Sequence, residues 1–254
     1  KGAASVRYGS DALAGVIEVK PAAAPAADTI RGDVTLLAKT NNGQYGASVN
    51  LGARRAAWFA DGRVTYQRYG DYRVPTDTVH VYNYPVPLDD HRMRNTAGHE
   101  SGLHLHVGYI GARVRSSVYV SNTNTRSGFF ANAHGLEPRR VDTDLHDRSG
   151  RDIQLPSQAV NHFKAISRNA VDFGNRQLAL DIGFQRNFRS EFNHYVNHGY
   201  MPAMYPDTLH IPRDLERQFD KQVFTANLRG LWTTGRHELT AGAGGEWQHN
   251  TTGG

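Results

Sequence analysis

The sequence predicts an all-β protein built as an antiparallel up-and-down sheet of about nine strands. From residue 30 onward, apolar and polar side chains alternate with a period of two, which is the period of a β-strand. The connections between the alternating segments are short and long in turn, as expected if consecutive strands run antiparallel. No apolar run reaches the roughly 18 residues that a membrane-spanning helix needs, so any span would consist of strands.

Each predicted strand has one apolar and one polar face. In the seventh segment, Leu178, Leu180, Ile182 and Phe184 share the apolar face, whereas Asp181 lies on the other. A wall that contacts lipid on one side and water on the other produces this alternation. The predicted strands are 30–40, 45–54, 58–69, 102–110, 113–122, 158–170, 177–187, 223–232 and 238–247.

Two of these segments need a separate justification. Residues 41–44 read Asn-Asn-Gly-Gln, a hairpin signal that separates the first two strands. The segment 158–170 is ambiguous, because one of its faces mixes Val160 and Ile166 with polar residues.

Connection length depends on position along the chain. The short links are 54–57, 111–112, 171–176 and 234–236, and the long ones are 70–100, 123–157 and 188–220. Only the link 41–44 is short where a long one is expected. Short turns at one rim and long loops at the other are typical of outer-membrane β-barrels, whereas a soluble sandwich has no reason to sort its loops. Trp58 and Trp232 beside short turns, and Trp247 towards the other rim, fit aromatic girdles.

Nine strands do not close a plugged barrel, which has about 22. Because the chain starts at Lys1 without Met and stops at Gly254 without a terminal element, we expect a piece of a longer protein. We therefore expect roughly two-fifths of a barrel wall, with an unpaired strand at each edge and no ability to insert alone.

Composition argues against several functions. The formal net charge of +5 comes without a Lys/Arg cluster, so nucleic-acid binding is not expected. The absence of cysteine excludes disulfides and thiol chemistry. An overall hydrophobic content of 39% is what a half-apolar wall would have.

The sequence offers weak support for an enzyme or a metal site. His104 and His106 point the same way on a strand, but no third ligand follows at a fixed offset, so we interpret them as polar residues of the lumen. The acidic loop residues near Asp142 and Asp147 lack the spacing of a calcium loop. Glu191 is expected to form an ion pair at the rim or with a covering segment. We predict no catalytic residues, no metal and no cofactor.

The long connections are the better candidates for function. They are rich in histidine and aromatic residues, which can stack on and hydrogen-bond a rigid ligand. The alternative is that these residues pack the loops against one another, because a loop of this length needs some core of its own. The candidate ligand-binding residues are Tyr72, His80, Tyr82, Tyr84, His91, His194, Tyr195 and His198.

The first twenty residues form a distinct unit. A turn rich in small residues leads to the short strand Val16-Ile17-Glu18-Val19, and a Pro/Ala linker follows over 21–29. The ordered set of Lys1, Gly2, Tyr8, Gly9 and Gly15, with Val16 and Ile17 behind it, resembles the end of the plug domain of TonB-dependent outer-membrane receptors. Ala3 departs from the proline that this family often has there.

The resemblance implies three regions: the C-terminal end of a plug in 1–20, the linker in 21–29, and the N-terminal portion of a transmembrane β-barrel in 30–254. It further implies a transporter in the cell outer membrane that imports a scarce ligand such as an iron–siderophore, haem or cobalamin. Its partners would be outer-membrane lipid and the TonB energy-coupling complex, which would bind a region not in this chain. Lys1 would pair with a wall carboxylate such as Glu100 or Glu191. The alternative is a soluble β-rich binding module, such as a lectin-like surface domain.

Overall fold

The computed structural model describes residues 23–133, 141–193 and 215–253. The motif residues Lys1, Gly2, Tyr8, Gly9 and Gly15 lie outside the described residues.

One antiparallel sheet of nine strands makes up most of the described chain, and it confirms the predicted all-β, up-and-down architecture. Each strand pairs with the next one along the chain, and the sheet does not close on itself. A separate two-stranded hairpin, β4–β5, lies in the connection after β3. The strands are β1 Thr29–Lys39, β2 Gln44–Arg55, β3 Trp58–Tyr69, β4 Thr78–Val81, β5 Tyr84–Pro87, β6 Gly98–Ile110, β7 Val114–Gly128, β8 Ser157–Asp172, β9 Arg176–Phe192, β10 Leu215–Thr234 and β11 His237–Gly253.

β1 and β3 have their predicted lengths, whereas the other strands of the sheet are longer than predicted, mainly towards the long connections. For example, β7 extends to Gly128 and β11 to Gly253. Polar residues occupy both faces in these extensions, so the backbone still pairs but the alternation of apolar and polar residues disappears. The ambiguous segment proves to be the full strand β8, whose otherwise apolar face contains Ser167 and Asn169.

The sheet therefore has two rims. The short-turn rim carries turns 56–57, 111–113, 173–175 and 235–236, and the long-loop rim carries connections 40–43, 70–97, 129–156 and 193–214. This matches the predicted sorting of connections.

The register brings the apolar sides of all nine strands onto one face of the sheet, the apolar face. Residues directly opposite one another in an antiparallel pair share a face. Leu228 lies between Leu180 and Ala243, and Val49 lies opposite Val64. No described element covers this face: the exposed fraction is 47% for Leu228, and most of its large apolar side chains are likewise exposed.

Polar groups on the apolar face, towards its short-turn edge, satisfy one another. Ser116 Oγ donates to Asn169 Oδ1 over 2.6 Å, and Asn169 Nδ2 donates to Ser167 Oγ over 2.9 Å. No charged side chain lies in the central rows of this face on the described strands. Those rows are formed by alternate residues within 30–36, 47–53, 60–64, 103–107, 116–120, 165–169, 178–182, 226–230 and 241–245.

The opposite, polar face carries charged side chains along the central part of the sheet. Arg31 pairs with Asp61, and Arg63 pairs with Asp33, so ion pairs link β1 to β3 directly across β2. His104 Nδ1 lies 2.7 Å from the hydroxyl of Tyr119. The two strand histidines share this face as predicted, but His104 is engaged by a tyrosine.

The described part of the linker lies on the polar face, near the short-turn rim. Pro25 is fully buried, and its Cγ would be 3.2 Å from a Cβ placed on Gly52. A side chain at Gly52 would also collide with the Asp61 carboxylate, so glycine is needed for this approach. The carbonyl of Ala23 accepts a hydrogen bond from Arg31 over 2.6 Å. The chain thus enters the sheet from its polar side.

The remaining described elements are short. They comprise 3₁₀ turns at Asp89–His91 and Ala131–Ala133 and one helical turn, α1 Thr143–Asp147, which Asp142 caps. Among the described residues, no helix has the length and apolar character to cross a membrane.

Candidate functional site

The long-loop rim is covered by one packed layer, which we call the outer layer. It consists of the turn 40–43, the connection 70–97 and the described parts of the connection 129–156. All described candidate ligand-binding residues lie in it.

Asp71 anchors the connection that follows β3. Its carboxylate accepts backbone N–H groups from Thr96 and Ala97 over 2.6 and 2.8 Å, and a longer one from Asn95 over 3.3 Å. The two ends of connection 70–97 are thereby closed against each other. Burial raises the pKa of Asp71 above its ordinary value, and the three backbone N–H groups and the charge of Arg92 oppose that shift.

Asn95 joins the two long connections. Its side chain is almost completely buried, with Nδ2 donating to the carbonyls of Phe129 and Pro156 and Oδ1 accepting from the Gln154 N–H over 2.8 Å. Every one of these partners belongs to the connection between β7 and β8. The amide therefore replaces backbone pairing that two irregular loops lack.

A buried ion pair makes a second link between the connections. Arg94 Nε donates to Asp147 over 2.6 Å, and Arg94 Nη1 donates to the carbonyl of Pro87. Asp142 accepts the N–H of Leu145 as a helix cap. Asp142 and Asp147 thus have structural partners, and among the described residues no group of three or more His, Cys, Asp or Glu side chains is placed to hold a metal.

The turn 40–43 is tied to the rest of the outer layer. Arg151 donates to the carbonyl of Gly43 over 2.7 Å, and its guanidinium lies 5.6 Å from the centre of the Tyr45 ring. Asn41 exchanges two hydrogen bonds with the backbone of Arg73. The turn 40–43 is the one connection that is short where a long one is predicted. Neighbouring loops fold over it.

The hairpin β4–β5 presents three of the candidate residues. His80 lies on β4, Tyr82 at the tip and Tyr84 at the start of β5. Tyr82 and Asn83 both have positive φ angles, 48° and 70°, as a two-residue type I′ turn requires. Asparagine tolerates this conformation, whereas it strains the bulky tyrosine. The ring of Tyr82 is nevertheless 65% exposed, so apolar burial does not offset the strain.

Tyr72 and His91 lie at the base of the hairpin. The carbonyl of Tyr72 accepts the Met93 N–H, and the carbonyl of His91 accepts the Val74 N–H, each over 3.0 Å. Both side chains are exposed. The structure thus brings all five described candidates into one connection with accessible side chains. His194, Tyr195 and His198 lie outside the described residues, and ligand contact by any of the eight stays a prediction.

An exposed ion cluster borders this base. Asp90 Oδ2 lies 2.7 Å from both Arg73 and Arg92. The hydrogen bond from Arg73, helped by the charges of both arginines, lowers the pKa of Asp90. The carboxylate therefore remains ionised well into the acidic range.

Sequence reasoning missed the residues that hold the outer layer together. Asp71, Arg94 and Asn95 have no periodic pattern around them, because their partners lie in irregular connections. The ion pair between Arg189 and Glu191 matches the expectation for Glu191.

Comparisons with protein-family models, with curated proteins and with solved structures find no match for this chain. The likeness of the first twenty residues to a receptor plug therefore stays a prediction. The class of fold, an open nine-stranded up-and-down sheet, rests on the register and on the distribution of side chains between its faces.

Proposed function

We propose that this chain is part of a TonB-dependent outer-membrane transporter and that its sheet is a section of the barrel wall. One observation carries the proposal: nine consecutive strands share an apolar face that bears no charge in its central rows on the described strands and that no described element covers. In water such a surface is far larger than the patches that monomeric soluble proteins expose. In a bilayer it is the surface that contacts lipid.

Aromatic side chains border this face at two heights. Trp58 packs edge-on against Tyr109 beside the short-turn rim, with ring centres 5.0 Å apart. Trp232 lies beside the same rim, and Phe224 lies eight positions away on the same strand. Eight residues span about 27 Å along a strand. A tilt of about 40° reduces this to roughly 20 Å across the membrane, close to the height of the apolar band of outer-membrane barrels.

The polar face suits a water-filled or plugged lumen. Its ion pairs and the His104–Tyr119 hydrogen bond lie on the inner side of such a wall. The linker reaches the sheet on this face and from the short-turn rim, which would be the periplasmic one. A preceding plug would therefore be delivered to the lumen rather than to the lipid. The soluble binding module, by contrast, would need a second layer over the apolar face.

The outer layer would face the exterior and capture the ligand. The hairpin β4–β5 projects exposed aromatic and imidazole groups from a base held by Asp71 and Asn95. Such groups suit a planar or chelated cargo, of which iron–siderophores, haem and cobalamin are examples.

The test is to follow the full-length gene product in cells. We expect it in the outer-membrane fraction, resistant to carbonate extraction, and needed for growth when iron or cobalamin is supplied only as a large complex. Recovery in the soluble fraction would refute the membrane wall. Uptake that persists after the inner-membrane proton gradient is collapsed would refute energy-coupled transport.

A second measurement distinguishes haem from siderophore as the cargo. Replacing His80 and His91 by alanine should reduce uptake of haem but not of siderophore if these histidines bind haem iron. Equal loss of both would assign them a role in loop structure.

A further inference from the structure

The apolar face gives way to polar side chains at one level on β7, β9 and β10, and one residue pair closer to the long-loop rim on β8. On each of β7, β8, β9 and β10 an apolar residue is followed by a polar one two positions closer to the long-loop rim. The pairs are Val120 and Asn122, Phe163 and Asn161, Phe184 and Arg186, and Phe224 and Gln222.

An open depression with a volume of about 580 Å³ lies on this boundary, and we call it the boundary groove. Its volume falls within the range of about 300–1,000 Å³ that is typical of small-ligand sites. Leu103, Val120, Phe163 and Phe184 line its apolar half, and Asn122, Asn161, Arg186 and Gln222 line its polar half.

The positive charge in the polar half of the groove is balanced by a neighbouring carboxylate. Arg186 makes a two-pronged contact with Asp220, through Nε over 2.9 Å and Nη2 over 2.7 Å. The Gln222 side chain also hydrogen-bonds to Asp220. An anionic group in the groove would meet this carboxylate and compete with it for Arg186.

Amides supply the remaining polar surface. Asn161 Nδ2 donates to Asn122 Oδ1 over 2.9 Å and to Asn124 Oδ1 over 2.6 Å, which holds the amides of two strands in fixed orientations. Each amide offers both donors and acceptors. Hydroxyl groups, which also donate and accept, are the natural counterpart of such a surface.

We propose that the boundary groove binds a glycolipid, with its sugar hydroxyls on the amides and its first chain carbons on the phenylalanines. This inference rests on the proposed function, because it places the groove at the outer edge of the lipid-facing wall. Phe163 and Phe184, whose ring centres are 6.1 Å apart, form an apolar floor for the chain and for the less polar side of a sugar ring.

The experiment offers the full-length gene product two amphiphiles with the same dodecyl chain, dodecyl maltoside and dodecylphosphocholine. Native mass spectrometry counts bound molecules as their ratio is varied. We expect about a tenfold preference for the maltoside. Asn161→Leu should abolish this preference, as should Gln222→Leu on another strand, so one misfolded variant does not decide the result. Gln158→Leu, on the polar face of β8, is the matched control and should keep the preference.

Several outcomes would overturn the inference. Equal binding of the two amphiphiles by the unmodified protein would do so, and so would a preference for the phosphocholine. If Gln158→Leu lost the preference to the same extent, the groove would not be the binding site. The maltoside would then bind as an adventitious additive only. A protein that inserts into membranes and imports its cargo without any preference refutes the groove alone. A protein that never enters the membrane refutes the proposed function as well.

Discussion

The outer layer buries its own side chains more thoroughly than the sheet wall does, although the wall is much the larger. Apart from proline, seven apolar side chains are buried among the described residues, and four of them, Val86, Leu88, Ala97 and Ala131, belong to the outer layer. The nine strands instead leave Leu, Val, Ile and Trp side chains exposed along one whole face. The outer layer thus has an interior of its own, whereas the wall is a single layer of β-sheet.

The two regions also place their polar groups differently. In the outer layer, Asp71, Arg94 and Asn95 are buried, and each bonds to backbone groups of a connection. In the wall, polar groups are sorted to one face by the period of the strand. The difference teaches that the outer layer satisfies its polar groups within its own interior, whereas the sheet separates polar and apolar side chains onto two faces.

The largest expected effect comes from placing a charge on the apolar face. Leu228 lies midway between Trp232 and Phe224 on β10, four positions from each. If that face contacts lipid, Leu228→Arg should lower the free energy of unfolding of the full-length protein in lipid vesicles by about 2–4 kcal/mol. If the face contacts water, the change should stay within about 0.5 kcal/mol. Denaturant titration followed by tryptophan fluorescence measures it.

The neighbouring residue provides the control. Asn227 is exposed on the polar face of the same strand, so Asn227→Arg should change stability by less than about 1 kcal/mol in either medium. Equal losses at positions 227 and 228 would mean that the two faces do not differ in environment, and a lipid-facing wall would be refuted.

A second large effect is expected at the link between the two long connections. Asn95→Ala removes three hydrogen bonds: the Phe129 carbonyl and the Gln154 N–H lose the bond to Asn95, whereas the Pro156 carbonyl keeps the Phe129 N–H. We expect a loss of about 2–4 kcal/mol, because each unsatisfied buried group costs about 1–3 kcal/mol. Hydrogen exchange should accelerate at 70–97 and 141–156 while the amides of β9 and β10 stay protected. Asn227→Ala serves as the matched control and should leave all of these rates unchanged.

The wall could be predicted from the sequence, and the outer layer could not, for a physical reason. A strand repeats one local choice, so Leu178, Leu180 and Ile182 identify their own face without knowledge of their neighbours. The sequence did not show how far strands such as β11 extend, because their outer parts are polar on both faces.

The outer layer depends on contacts between residues far apart in the chain. Asn95 and Pro156 are joined by a hydrogen bond over 2.7 Å, yet 61 positions separate them. Nothing in the local sequence of either residue indicates the other. Residue type alone did select the exposed hairpin residues His80, Tyr82 and Tyr84 as candidates. It did not predict the turn type or the φ angles at the hairpin tip.

A smaller, pH-dependent effect is expected at Asp71. Because burial raises its pKa in the folded protein above the ordinary 3.8, ionisation is harder in the folded than in the unfolded state. The contribution of Asp71 to the outer layer is therefore fully present at low pH and is lost as the pH rises from about 4 through the raised pKa. Protection of the Thr96 and Ala97 amides, corrected for intrinsic exchange rates, should fall over this window.

The Asp71→Asn variant isolates that carboxyl group. It keeps one oxygen to accept the Thr96 and Ala97 N–H groups and has no proton to lose, so the pH dependence should disappear at a cost of about 0.5–1 kcal/mol. Protection that increases with pH in the unmodified protein would show that the hydrogen bonds to the charged form outweigh burial.

The smallest effect on stability, and the most informative one for function, is expected at the tip of the hairpin β4–β5. Tyr82→Gly removes a strained side chain from a left-handed position with φ of 48°, so the hairpin should be unchanged or more stable by up to about 1 kcal/mol. If the exposed ring binds cargo, the concentration of cargo giving half-maximal uptake should nevertheless rise. Tyr82→Phe keeps both the ring and the strain and should behave as the unmodified protein does, unless the hydroxyl itself contacts the ligand. Unchanged uptake in Tyr82→Gly would mean that the tip serves only as a turn. The capture surface would then have to lie at the base of the hairpin, around Tyr72 and His91.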